Sequence, residues 1–321
     1  MSKFTVVDIP FPNPTERILR LEGAIDKYWL DLANLGRCLV KADPRGAWVE
    51  KITATLAEQL GLPVASCELG ERIDGMKLIA SPNFLRDGEF EIAGEDLLIN
   101  ACGDNYFYSP ENILLVLDNN NVLLPHNFDN NPVISKPSDL MVGYLIFDSW
   151  IGNIDRHCKN WGITQQLSGE KRLLPTYDHG LSLGVRMPED KLPLDLTDYS
   201  GSVRSSIYSQ NSGTLSMNDL AGSLFALNPQ ATNYWIDRVS AIDRTSIEQT
   251  FDRLPDGWSS EVHKTFAMDL LNASRERLVN ISRLPPAGLR STIRENPTIK
   301  VKTQILENDR SPAPASSPSP N

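Results

Sequence analysis

The apolar positions between Gly46 and Pro63 fall on one helical face. In WVEKITATLAEQLGLPV, Val49, Ile52, Leu56 and Leu60 recur at three- and four-residue steps, the spacing that brings side chains onto one side of an α-helix. Gly61 followed by Pro63 supplies the stop signals in the expected order. Just upstream, RCLVKAD alternates and is rich in strand formers, which predicts a strand ending near Lys41. KLIASPNFL reads as another short strand running into a loop. From about Arg17 to Leu85 the pattern therefore predicts strands and turns around one helix.

Beyond Leu85 the pattern becomes mostly helical. SPENILLVLDN sets a serine cap ahead of a proline at the first helical position, and SKPSDLMVGYLIFDSW reads as a second, largely buried helix. Further helices are expected at TLSMNDLAGSLFAL, NYWIDRVSAI, SIEQTFDRL and EVHKTFAMDLLNASRERLVNISRL. In the last of these, Val262, Phe266 and Leu270 recur at helical spacing and predict a packed face. After Leu284 the chain turns to PPAGLRSTIRENPTIKVKTQ and then SPAPASSPSPN, proline- and serine-rich without apolar period, which predicts a disordered tail. The expected division is a small strand-plus-helix lobe over 1–85, a larger helical lobe over 86–285 and a flexible tail over 286–321. A cleft between unequal lobes is a natural ligand site.

Composition narrows the classes of function. With 321 residues and 40% apolar content the chain can bury a real core. Its 41 acidic against 31 basic residues, a formal charge of −10, argue against nucleic acid or an anionic membrane as a direct partner. Cys38, Cys67, Cys102 and Cys158 are scattered without CxxC spacing, which speaks against a disulfide framework or structural zinc and for a reducing cytoplasm. The N-terminal MSKFTVVDIPFPNP lacks the charged and apolar regions of a leader, and the longest apolar run, LMVGYLIF, is far short of a membrane span.

The densest chemistry lies in IGNIDRHCKNWGI, where a polar cluster sits between apolar flanks. Asp155 and Asn160 are five residues apart, and Asp178 follows a turn in LLPTYDHG. This is the spacing logic of phosphoryl transfer: one aspartate orients a hydroxyl and takes its proton, while an asparagine and a second aspartate hold Mg²⁺ through oxygen. The competing reading, a metal site of His157, Cys158 and His179 with Asp155 or Asp178, lacks regular ligand spacing and accounts for fewer residues. Two upstream features strengthen the first reading. Lys41 ends a strand and Glu50 lies in the first turn of the next helix, so the lysine can reach α- and β-phosphates while a helix carboxylate braces it; Glu58 competes for that bracing role, and helix register favours Glu50. LEGAIDKYWLDL places Gly23 in a short turn ahead of Lys27, a phosphate-covering loop if the turn lies over the cleft. Trp150 and Trp161 read as packing, His126 and His263 as structural or exposed. Ser182, Ser202, Ser205 and Ser206 follow Asp178 where regulatory phosphosites would sit, although serine is common in any loop.

GAIDKYWL, LVKAD, TLAEQLGLPV, IGNIDRHCKNWGI and LLPTYDHGLSL together resemble the HipA-like kinases, bacterial serine/threonine kinases related to phosphatidylinositol 3/4-kinases. The resemblance runs from roughly residue 17 to residue 184. It implies an α+β, bilobal, protein-kinase-like fold, with ATP and Mg²⁺ as cofactors and a serine or threonine of a protein as acceptor. Carried over residue by residue, it implies Asp155 as catalytic base, Asn160 and Asp178 as Mg²⁺ ligands, Lys41 as the phosphate lysine, and Glu50 with the turn from Gly23 to Lys27 as its support. Arg156 and His157 are expected to shape the loop by hydrogen bonding. The family's best-known members begin with an additional N-terminal subdomain that helps dock a DNA-binding antitoxin; here barely a dozen residues precede the first expected strand. An antitoxin-like regulator is therefore carried only as part of the resemblance. Transfer to a lipid head group or another non-protein hydroxyl, and a nucleotide-binding pseudokinase acting through partner contacts, are the alternatives.

Overall fold

Strand-forming sequence in the first lobe assembles a five-stranded sheet. In the computed structural model, which describes residues 2–12, 26–104, 106–126, 128, 131–192, 195–209 and 213–282, the strands are β1 (Val6–Ile9), β2 (Lys27–Leu32), β3 (Gly36–Lys41), β4 (Glu68–Arg72) and β5 (Lys77–Pro82). Their order across the sheet is β1-β4-β5-β3-β2. β2 and β3 form a hairpin pairing Lys27 with Lys41 and Leu32 with Gly36, and Gly36 at φ +71° makes its turn. β5 runs antiparallel to both β3 and β4. Alternation sorts the side chains: Tyr28, Leu30, Cys38, Val40, Leu78 and Ala80 form a small core on one face, while Leu69 and Ile79 join the main core on the other.

That second face is covered by α1 (Ala47–Leu60), whose Val49, Ile52, Leu56 and Leu60 are all buried as their spacing required. Gly61 closes the helix in the left-handed conformation at φ 78°. The far side of α1 faces the second lobe. Trp48 meets Phe251 edge-on at 6.1 Å, Gln59 Nε2 donates to Thr250 Oγ1 at 2.9 Å, and Arg238 Nε donates to the Leu60 carbonyl at 2.9 Å.

The second lobe contains β6 (Glu89–Ala93), α2 (Gly94–Cys102), α3 (Pro110–Asn119), α4 (Pro137–Ile151), β7 (Gly162–Gln166), β8 (Lys171–Leu173), α5 (Leu196–Ser202), β9 (Arg204–Ser209), β10 (Gly213–Ser216), α6 (Met217–Leu227), α7 (Pro229–Ser240), α8 (Arg244–Phe251) and α9 (Glu261–Ser282). Ser109 caps α3 by accepting from the Asn112 amide, ahead of Pro110. α4 is the axis of this lobe, and all of its residues are buried. It packs on α3, α6, α7 and α9. Gly143 permits the approach of α7, since a Cβ there would stand 2.4 Å from the Trp235 ring. The indole N–H groups are satisfied across the interfaces: Trp235 donates to the Asp139 carbonyl and Trp150 to the Leu271 carbonyl, each at 3.0 Å.

Several features depart from the expected pattern. β1 adds a strand ahead of the first expected one and pairs parallel with β4, Val6 opposite Leu69. β6, β7 and β8 form a separate three-stranded sheet, and β9 with β10 a hairpin, inside the lobe expected to be mostly helical. In α9, Phe266 and Leu270 are buried but Val262 is half exposed, because the first turn of the helix projects past the core that its later turns join. Ser182 and Ser205 are buried, which removes them as accessible phosphosites. The expected turn at Gly23 and the tail over 286–321 lie outside the described residues. Among the described residues, no helix is long and apolar enough to cross a membrane.

Candidate active site

Between the lobes lies a cleft of about 140 Å³, lined on its apolar side by Trp29, Leu39, Ala54, Cys67 and Phe84 and on its polar side by Lys41, Glu50 and Asp178. Strand alternation explains the lining. Leu39 and Lys41 leave β3 on the face opposite Cys38 and Val40, so the residues that do not build the small core face the cleft. Phe84 stacks on Tyr177 with centroids 5.8 Å apart, and the Tyr177 hydroxyl donates to Glu91 at 2.9 Å.

The four described residues expected around the phosphates come together. Lys41 Nζ donates to Glu50 Oε1 at 2.8 Å and to Asp178 Oδ1 at 2.7 Å, and Lys27 Nζ lies 3.8 Å from Asp178 Oδ2. Glu58, the competing acid of α1, is exposed on another face. The local backbone allows little else near the ion pairs. Asp178 itself adopts φ 60°, a left-handed conformation uncommon for a residue with a side chain. A Cβ on Gly180 would meet Glu50 Oε1 at 3.2 Å, and one on Gly46 would meet the Gly180 carbonyl at 3.1 Å.

Charge explains the protonation of this group. Burial would push the Asp178 carboxyl up, but Lys41 and Lys27 outweigh it and hold the carboxyl well below the usual carboxylate range. Burial pushes Glu50 up, opposed by Lys41 and reinforced by Asp178. For Lys41 burial favours the neutral amine, and the two carboxylates override it so that the ammonium is held above its ordinary range.

Asp155 and Asn160 form the second half. Asn160 Nδ2 donates to the Asp155 carbonyl at 2.7 Å and approaches Asp155 Oδ2 at 3.5 Å, while the Asp155 amide is held by Asn153 Oδ1 at 3.0 Å. The Asp155 carboxylate is 36% exposed. Burial raises its pKa, His157 opposes, and the Asp178 charge adds to the rise; the two carboxylates thus sense each other across the cleft.

Arg156 ties the halves together from beneath. Its guanidinium grips Asp148 of α4 bidentately at 2.7 and 3.0 Å and donates to Thr176 Oγ1 at 2.9 Å and the Tyr177 carbonyl at 3.0 Å. It also donates to the Asn160 carbonyl. The expectation that Arg156 shapes the loop by hydrogen bonding describes this geometry. His179 is structural as well: its Nε2 meets Thr176 Oγ1 at 2.9 Å, its ring sits edge-on to Phe147, and burial holds its pKa well below the ordinary value. Cys158 is engaged by the Tyr106 hydroxyl at 3.3 Å and lies 3.6 Å from Glu95 Oε1. His157 Nε2 stands 4.0 Å from Asp155 Oδ1. Among the described residues there is no group of three or more His, Cys, Asp or Glu side chains that forms a metal cage, so the His157, Cys158 and His179 alternative has no geometric basis there.

Fit to Mg²⁺ rests on a different donor set. The amide nitrogen of Asn160 is spent on Asp155, so its oxygen is the atom that would ligate such an ion, and Asp178 remains ionised through its lysine neighbours. Two hard oxygen donors with the remaining positions filled by phosphate and water are what this ion uses.

Sequence reasoning missed Asp148, Asn153, Glu91 and Tyr177. Asp148 carried a readable signal, since an aspartate inside LMVGYLIFDSW requires a buried counter-charge; the others sit in stretches with no distinguishing pattern.

No family model matches the sequence, and no curated protein matches it. Among solved structures, the proinflammatory kinase CtkA of Helicobacter pylori superposes with a TM-score of 0.69, covering 89% of this chain and 99% of its own at 19% identity. This chain has a kinase fold. The first lobe of that fold carries Lys41 and Glu50, and the second carries Asp155, Asn160 and Asp178. Looser superpositions occur with HipA of Shewanella oneidensis, from a complex with HipB and operator DNA, at a TM-score of 0.47, 14% identity and coverage of 83% of this chain and 68% of that one. The golgi casein kinase gives 0.40, 12% identity and coverage of 88% and 74%. Both are too loose to carry an argument about this chain.

Proposed function

We propose that this chain is a HipA-like kinase that binds ATP with Mg²⁺ and transfers the γ-phosphoryl group to a serine or threonine hydroxyl of a protein substrate. The observation that carries the reading is Lys41 bonded at once to Glu50 and Asp178 on the polar side of an otherwise apolar cleft. The apolar walls suit a nucleobase, with Trp29 and Leu39 above and the Phe84–Tyr177 stack at the rim. Lys41 and Lys27 supply positive charge for the phosphates. The acceptor oxygen attacks the γ-phosphorus in line, the bond from that phosphorus to the β,γ-bridging oxygen breaks, and ADP leaves. The hydroxyl proton passes to Asp155, whose raised pKa makes it a better acceptor than an ordinary surface aspartate. Asn160 and Asp178 would hold Mg²⁺, which neutralises phosphate charge. Most of the rate then comes from positioning and fixed charge.

The test is incubation with γ-labelled ATP and Mg²⁺, with the chain itself and a degenerate serine/threonine peptide mixture as acceptors. Labelled phosphoserine or phosphothreonine is expected from the wild type and is lost in Asp155→Asn and Asp178→Asn. Equal labelling in both variants overturns the assignment. An antitoxin-like regulator, which rests on the sequence resemblance, and cytoplasmic residence, which rests on the scattered cysteines, belong to the same proposal; phosphoproteomics of cells expressing the wild type against Asp155→Asn would identify the target.

A further inference from the structure

Two residues away from Lys41, Asp43 sits at the head of α1 and is only 10% exposed. Its carbonyl accepts from the Ala47 amide at 2.9 Å and its Oδ1 from the Arg45 amide at 3.3 Å, so it shapes the loop that launches the helix. Its other oxygen, Oδ2, accepts from Arg186 Nη2 at 3.0 Å, across 143 residues of sequence. Arg186 lies eight positions after Asp178, in a segment fastened to the second lobe. The Leu183 amide donates to the Ile151 carbonyl at 3.0 Å, a Cβ on Gly184 would stand 2.5 Å from the Phe266 ring, and the Met187 carbonyl meets His263 Nε2 at 3.0 Å. The segment is thus a strut that starts on α4 and α9 and ends on Asp43.

In kinases a segment at this position is commonly ordered by phosphorylation, through a new arginine–phosphate contact. Here the arginine of the catalytic loop is committed elsewhere: Nε, Nη1 and Nη2 of Arg156 all donate to buried protein acceptors. We propose that Asp43 and Arg186 act as a positioning couple that seats the first turn of α1, and with it Glu50, against Lys41 and Asp178 without any phosphate. This rests on the kinase reading above. Neither residue touches substrate; both act through Glu50, which lies one helical turn past the loop that Asp43 shapes. The pair is half-shielded, with Arg186 32% exposed, so its loss is felt more than that of a surface pair.

The test combines steady-state kinetics with amide hydrogen exchange on the full chain. Arg186→Gln and Asp43→Asn are each expected to lower kcat by about tenfold while KM for ATP stays within about twofold. The double variant should be no slower than the slower single variant, because both remove one contact, and Arg186→Lys should recover part of the loss. Exchange over residues 47–50 should speed up in Arg186→Gln. Arg244→Gln, which removes a charge from a solvent-exposed ion pair on α8, should leave kcat and this exchange unchanged. Wild-type turnover and wild-type exchange in Arg186→Gln overturn the proposal, as do additive losses in the double variant. If the wild type transfers phosphate to no acceptor, the kinase reading fails, and exchange at the first turn of α1 still decides the couple.

Discussion

Replacing Arg156 with methionine removes a guanidinium that is 2% exposed from a carboxylate, Asp148, that is 1% exposed. Five hydrogen bonds go with it. Removing one partner of a buried pair costs about 3–5 kcal/mol, because the surviving charge keeps its desolvation penalty. Asn153 still donates to Asp148 Oδ1 at 2.8 Å, which softens that penalty, whereas the abandoned Thr176 hydroxyl and the Tyr177 and Asn160 carbonyls add to it. The expected loss is about 4 kcal/mol, or a fall in Tm of roughly 6 °C for a chain of this size at about 2.1 cal/mol/K of unfolding entropy per residue. Urea denaturation with an unchanged m-value measures it. Asp148→Asn combined with Arg156→Met should recover about 1–3 kcal/mol relative to Arg156→Met alone, since no uncompensated charge remains. A loss below about 1 kcal/mol for Arg156→Met, or strictly additive losses in the pair, would refute the claim that this buried ion pair holds the loop of Asp155 and Asn160 to the segment bearing Asp178.

Gly180→Ala puts a methyl 3.2 Å from Glu50 Oε1; kcat should fall about tenfold while stability changes by less than about 1 kcal/mol, and a wild-type kcat in steady-state assays would show that Glu50 has room to spare. Asp178→Asn should show a stability penalty that depends on pH in a fixed sense. The folded pKa is depressed, so the carboxylate's contribution is present above the unfolded value of 3.8 and is lost as pH falls through the folded pKa; denaturation at pH 7 and near pH 2 should give a large and a small difference, and equal differences would contradict the lysine pairing. Gly143→Ala drives a methyl against Trp235 on the fully buried α4 and should cost about 1–3 kcal/mol in a chemical melt; a neutral substitution would mean that the helices are not in the close contact described.

The grouping of the candidate site residues was legible because it follows from residue type and short spacing. Asp155 and Asn160 belong to one loop, and Lys41 and Glu50 flank one strand-to-helix connection, so local sequence carries them. The buried face of α1 was equally plain, since the sheet and the second lobe cover a helix whose period alone reports the burial. β1 left no local trace: VVDI is four residues long and finds its partner in β4, some sixty positions later. β7 was hidden for another reason, because the apolar flank that follows the polar cluster also runs into a strand, Gly162–Gln166, against β6. Val262 kept helical spacing yet stayed half exposed, as period identifies a face but not where along the helix the core ends. Ion pairs between distant segments, Asp43 with Arg186 above all, have no sequence signature beyond the presence of two charges.

The contacts of α1 with the second lobe have a mechanical consequence. Trp48 near its start and Gln59 and Leu60 at its end are all fastened to helices α7 and α8, and Phe4, beside the sheet, accepts Arg253 over its ring at 4.2 Å. A helix pinned at both ends is an axle and cannot serve as a lever. Any movement of the sheet that opens the cleft would then leave α1, and Glu50 with it, on the side of the second lobe.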